Sequence, residues 1–223
     1  MGIISLEKAD HLFWLGRYVE RVFTTMDTMF LYFDRMLDQD KRAYELFCYQ
    51  LSVPMVYSDM DDFIDHYIFD EADPNSIKSN MLRAFDNAVV LRDELSSSTL
   101  SYIQMSLDCL DQALKEHGLV YQLQPIKDYL YAFWGCLDDH VEDEECRNII
   151  KCGRYLERLD LYIRLGYPHR FIEKEHSKFI NRLQKIQIGY NLSRVEELSK
   201  IVATDETLKA GRQEALLALW NIF

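Results

Sequence analysis

Two six-residue stretches bring the same ionisable groups together twice: GRYVER at 16–21 and GRYLER at 153–158. Each sets one glutamate (Glu20, Glu157) among two arginines (Arg17 and Arg21; Arg154 and Arg158) and a tyrosine (Tyr18, Tyr155). Two kinds of chemistry suit such a set. A carboxylate whose pKa is raised by burial serves as a general base. A guanidinium fork binds carboxylate or phosphate at two points, which would make the paired stretches a cleft for an acidic or peptide-like ligand. A third reading needs no ligand. Glu20 would pair with Arg158 and Glu157 with Arg21, fixing how two helices cross, while Tyr18 and Tyr155 cover the ion pairs. Site and clamp stay open as alternatives on the residues alone.

Helical spacing sharpens both. At about 100° per residue, Gly16, Glu20 and Asp27 fall near one line, as do Gly153, Glu157 and Asp160. A glycine inside a helix costs roughly 1 kcal/mol against alanine, so two of them, one turn ahead of each glutamate, imply close approach of a neighbour. An exposed Arg17–Glu20 pair within one helix would contribute only about 0.2–0.5 kcal/mol, too little to account for the repetition.

The elements that must carry these residues read as helices. Leu12, Leu15, Val19, Phe23, Met26 and Phe30 recur at spacings of three and four, which predicts one long helix over 6–38 with Ser5 as its N-cap. Further helices are expected over 40–52, just after Asp59, and over 76–95, 99–116, 124–140, 143–165, 171–188, 194–202 and 206–220. HGL at 117–119 reads as a break, and GYPH stops the helix of the second motif. No segment alternates with a period of two. The expectation is an all-α fold: a single domain over 1–223, a bundle of about eight to ten helices, with the two GRYxER-bearing long helices packed together. Only 8 glycines and 4 prolines in 223 residues fit long helices better than many short strands.

Bulk charge narrows the partners. A net charge of −12 repels phosphate backbones and anionic membrane surfaces, so neither nucleic acid nor membrane is expected. No apolar run reaches the length of a span or of a signal peptide, and the odd set of five cysteines lacks a C-x-x-C pair. Reduced thiols in a cytoplasmic protein follow. Neither G-x-x-x-x-G-K-[ST] nor G-x-G-x-x-G occurs, so no nucleotide cofactor is expected. DDFID at 61–65 and DDHVED at 138–143 match the D-D-x-x-[DE] form with which helical isoprenoid synthases hold Mg²⁺, which would recruit Asp61, Asp62, Asp65, Asp138, Asp139 and Glu142. The same acids suit the first turns of helices, where the dipole favours negative charge, and the partner motif N-x-x-x-S-x-x-x-E is missing.

ADHLFWLGRYVER resembles the opening helix of the bacterial alpha-E domain family, a helical family of unknown function, through Ala9, Leu12, Phe13, Trp14, Leu15, Gly16, Arg17, Tyr18, Glu20 and Arg21. DPNSIKSNMLRAFDNAVVLRDELS is similar to the family's middle block through Pro74, Ser76, Ile77, Ala84, Asn87, Ala88, Arg92, Asp93 and Ser96. GRYLERLD resembles its third block through Gly153, Arg154, Glu157, Arg158 and Asp160. Asp73, Phe85, Asp86, Val89, Ser98 and Leu100 depart from the pattern, as do Val22 and Leu159 after the two ER pairs. The middle helix has therefore lost charge while both GRYxER patches are intact. The resemblance implies an accessory or substrate-handling role beside ATP-grasp ligase-like and transglutaminase-like proteins in peptide or amide-bond metabolism. Asn87 and Arg92 would then complete a site with the GRYxER residues.

Overall fold

Ser5 Oγ accepts the Lys8 N–H and opens the first helix, α1 (Leu6–Asp38), whose apolar stripe runs through Leu12, Leu15, Val19, Met26 and Met29. The structure, a computed structural model, describes residues 4–115 and 120–223. After α1 follow α2 (Ala43–Leu51), α3 (Met60–Phe69), α4 (Ile77–Val90) and α5 (Ser97–Lys115). A 3₁₀ turn, Val120–Leu123, leads into α6 (Gln124–His140) and α7 (Glu144–Leu165). Then come α8 (His169–Leu183), α9 (Leu192–Val202), α10 (Asp205–Ala210) and α11 (Arg212–Trp220). The described residues contain no β-strand, and none of their helices is long and apolar enough to cross a membrane. The break expected at HGL lies outside the described residues.

The all-α expectation holds, with eleven α-helices among the described residues against the eight to ten expected. The extra helix arises in the C-terminal run, which divides at Gly211: Thr204 and Thr207 cap α10 reciprocally, and α11 restarts beyond the glycine. The middle helix ends at Val90 rather than 95. Ser96 Oγ accepts the Thr99 N–H and starts α5, so the intervening residues form a turn. Gly166 ends α7 in the left-handed conformation with φ +70, a geometry that costs glycine nothing, and Pro168 follows it.

α1 is the axis of the assembly. It packs most extensively on α7 and next on α4; α5 packs on α6, α8 lies on α7, and α9 pairs with α11. Lys8 and Cys146, near the starts of α1 and α7, both meet Glu94, so the two long helices run in the same sense. Beside them, Phe47, Phe63 and Tyr67 from α2 and α3 form an aromatic cluster with ring centroids 5.0–5.6 Å apart. Cys48, Cys146 and Cys152 are buried and all five cysteines are free thiols. Of the apolar tail, Ala215, Ala218, Leu219 and Ile222 enter the core while Leu217, Trp220 and Phe223 stay exposed.

Candidate functional site

The two motifs meet. A Cβ added to Gly16 would lie 2.0 Å from the Ile150 carbonyl oxygen, and one added to Gly153 would lie 2.1 Å from that of Phe13. Each glycine therefore presses on the backbone of the other helix, three residues before the other glycine. The contact repeats about a local two-fold axis, and the motifs lie in register.

One turn on, the glutamates cross. Glu157 accepts Arg17 Nε at 2.7 Å and Arg21 Nε at 2.6 Å, both from α1. Glu20 accepts Arg158 through Nε at 2.6 Å and Nη2 at 2.8 Å, and Arg154 Nε at 3.2 Å, both from α7. Thr24 Oγ1 donates to Glu20 from the next turn of α1 at 2.8 Å. Both glutamates have 0% exposure, so the joint excludes water from its carboxylates. Every oxygen of the two carboxylates accepts at least one charge-assisted hydrogen bond, the arrangement that offsets the cost of burying an ion.

Tryptophans, rather than the tyrosines expected, lie directly over the arginines. The Arg17 guanidinium stands 4.6 Å from the Trp14 ring centre and Arg154 stands 4.0 Å from that of Trp134 on α6. Tyr18 stacks on the outer side of this cover against Trp14 at 5.2 Å, and Tyr155 flanks Arg154 at 5.8 Å. Glu175 of α8 adds a further carboxylate, with Oε2 3.5 Å from Arg158 Nη1. Neither Trp134 nor Glu175 carries a local signal in the sequence. Trp14 does, since it stands two residues before Gly16 in the first block.

Burial by itself would raise the Glu157 carboxyl, but the charges of Arg21 and Arg17 and their hydrogen bonds outweigh it and hold the pKa below the ordinary carboxylate value. A carboxylate held this way contributes stability above its unfolded pKa, near 4.3, and loses it as pH falls through the lower folded value. The native fold is expected to hold to about pH 4 and to lose stability below it, read from chemical unfolding curves at successive pH values. Glu157→Gln should flatten that acid limb.

The other sequence candidates stand elsewhere. Asp160 accepts Arg164 Nε at 2.7 Å and Trp220 Nε1 at 3.1 Å, tying α11 to α7. Asn87 accepts His11 Nδ1 at 2.7 Å. His11 is nine residues, about 13 Å of helix rise, before Glu20, so Asn87 does not join the arginine–glutamate set. Arg92 is exposed in the turn after α4. The acidic motifs do not converge either. Asp61, Asp65, Asp139 and Glu142 are exposed, Asp62 bonds Ser58 at the start of α3, and Asp138 pairs with Lys151. Among the described residues, no group of three or more His, Cys, Asp or Glu side chains is arranged to hold a metal ion. The Mg²⁺-carboxylate arrangement suggested by spacing is thus not assembled: the folding of α3 and α6 leaves their acids in local caps and pairs.

At its Glu157 end the joint borders a cleft of about 170 Å³, lined by Arg21, Tyr67, Asp160, Arg164 and Trp220 among others. The joint itself leaves no room for a ligand between α1 and α7. Its carboxylates are out of reach of solvent and occupied by arginine, so proton transfer to a bound molecule through them is blocked. The arrangement can join two helices rigidly and present arginine at one edge.

A family model, Alpha-E, described as a predicted alpha-helical domain with a conserved ER motif, matches residues 7–184 of the 223. The matched span begins in α1, ends just after α8, and includes both GRYxER stretches. No curated protein and no solved structure matches the chain.

Proposed function

We propose that this chain, which belongs to the alpha-E family, is a cytoplasmic helical accessory protein that handles a peptide-like substrate for amide-bond chemistry carried out by other proteins. The partners this reading names are ATP-grasp ligase-like and transglutaminase-like proteins, as the family resemblance implies. One observation carries the accessory side of it: Glu20 and Glu157, the best-placed general bases in the sequence, are both fully buried and held by two arginines each. A doubled motif consumed in such a joint supports a scaffold that presents its surfaces to others. Arg17, Arg154 and Arg158 then act as structure, and recognition falls to the rim of the joint, where Arg21 lines a cleft, and to the exposed side chains of α2 and α11.

The test is co-expression of the tagged full chain with an ATP-grasp ligase-like and a transglutaminase-like protein from the same genome. Capture is followed by mass spectrometry of retained small molecules and by assay of ligase turnover with and without the chain. Stoichiometric capture of at least one partner, with turnover raised by the chain, is the expected result. No capture and unchanged turnover would overturn the proposal.

A further inference from the structure

The local two-fold axis that relates the motifs makes Arg21 the mate of Arg158, yet the two are used differently. Arg158 spends Nε and Nη2 on Glu20 and turns Nη1 toward Glu175. Arg21 donates through Nε alone, to Glu157. Among the described residues no acceptor meets its terminal nitrogens, and its side chain is 29% exposed against 12% for Arg158. Where Glu175 stands on one side, the other side has the 170 Å³ cleft. Asp160 lines that cleft, but both its oxygens are already taken, by Arg164 and Trp220.

We propose that this cleft binds the terminal carboxylate of a peptide-like ligand, its oxygens meeting the free nitrogens of Arg21 as Glu175 meets Arg158. This rests on the reading of the chain as a handler of peptide-like substrate, and names the group by which the substrate is held. Three guanidinium groups (Arg17, Arg21, Arg164) and two carboxylates (Glu157, Asp160) meet at this end of the joint, leaving one positive charge unmatched. The cleft is smaller than the roughly 300–1,000 Å³ usual for a whole ligand, so it admits a head group only. The remainder has a place: a groove of about 550 Å³ continues past Ser52, Arg164 and Trp220, with Tyr49, Leu217 and Trp220 exposed along it. At a net charge of −12 the chain does not draw anions from a distance. Recognition must come from the short-range fork and from apolar contact in the groove, which suits a carboxylate on an apolar chain.

The test uses the full chain and N-acetyl-Ala-Leu-Leu as probe, by calorimetry and by tryptophan emission. The peptide with a free terminal carboxylate is expected to bind about 10-fold to 100-fold more tightly than the same peptide amidated at its C terminus, the usual weight of a hydrogen bond to a charged group. Arg164→Gln should bring the acid closer to the amide. That variant loses contacts to Asp160 and Ser52, so its melting curve is taken alongside, and the wild-type comparison stands without it. Equal affinity for acid and amide overturns the carboxylate site while leaving peptide handling intact. An amidated peptide carrying an internal glutamate that binds as well as the acid overturns the terminal assignment. No binding of any probe at millimolar concentration overturns the site, and partner capture then decides separately whether the accessory role survives.

Discussion

Gly16→Ala and Gly153→Ala are each expected to destabilise the fold by about 3 kcal/mol or more, lowering the melting temperature by about 6–12 °C. Propensity alone points the other way: alanine for glycine inside a helix gains roughly 1 kcal/mol. The opposing effect is larger because the new carbon would sit 2.0 Å or 2.1 Å from a carbonyl oxygen of the facing helix. A side-chain neighbour could swing aside. A helix backbone cannot, so α1 and α7 must separate, and separation stretches the hydrogen bonds that hold Glu20 and Glu157 one turn away. Gly135 in α6 supplies the control, since nothing lies within 4 Å of the carbon that alanine would add there. Gly135→Ala should be neutral or stabilising by up to about 1 kcal/mol. Thermal unfolding of the three variants checks the set; equal melting of Gly16→Ala and Gly135→Ala would remove the close-approach argument.

Glu20→Gln and Glu157→Gln are the second large effect, at about 3–5 kcal/mol each. The amide keeps the shape and loses the charge, which leaves two half-buried arginines side by side without that counter-ion; at the Glu20 end only the Glu175 carboxylate, 3.5 Å from Arg158, remains. For Glu157 these are Arg17 and Arg21, and for Glu20 they are Arg154 and Arg158. The cost arises from the orphaned charges rather than from the lost attraction, which gives a second expectation. Replacing Glu157, Arg17 and Arg21 together by methionine should recover most of the loss, as exchanging buried ion sets for apolar side chains of similar volume often does. Urea unfolding with an unchanged slope is the measurement. A triple variant as unstable as Glu157→Gln would mean that the arginines do more than balance that carboxylate.

The crossed pairing was readable as one of the two uses the motif allows, because two elementary quantities argue against an isolated patch on one helix. An in-helix Arg–Glu pair is too weak to require repetition, and glycine inside a helix is a loss unless something touches it. Those statements concern residues three and four apart, where sequence spacing and spatial neighbourhood coincide. The helix starts at Ser5, Asp59 and Asp143 were legible for the same reason, since capping is a local event. Trp134 and Glu175 were not legible. They reach Arg154 and Arg158 from α6 and α8, and nothing in the spacing of one helix says which other helices cover its polar face. Sequence proximity points to Tyr18 and Tyr155 as the cover, since they sit inside the repeated stretch and Trp134 does not, yet the tryptophans hold that place. Asn87 and Arg92 illustrate the opposite error. They share a block with the family pattern, but the direction of α4 takes Asn87 to His11 and leaves Arg92 in water. Edge and cavity are likewise properties of the assembled bundle, so the cleft beside Arg21 had no sequence signature.

The most direct test of the crossed joint is a pair of double-mutant cycles on Glu20, one with Arg158 of the other helix and one with Arg17 of its own. Glutamate is changed to glutamine and arginine to methionine, and unfolding free energies are measured in urea. The joint predicts a coupling of about 1–3 kcal/mol for Glu20 with Arg158 and under about 0.5 kcal/mol for Glu20 with Arg17. The reverse order, with strong coupling inside α1 and none across to α7, would contradict it.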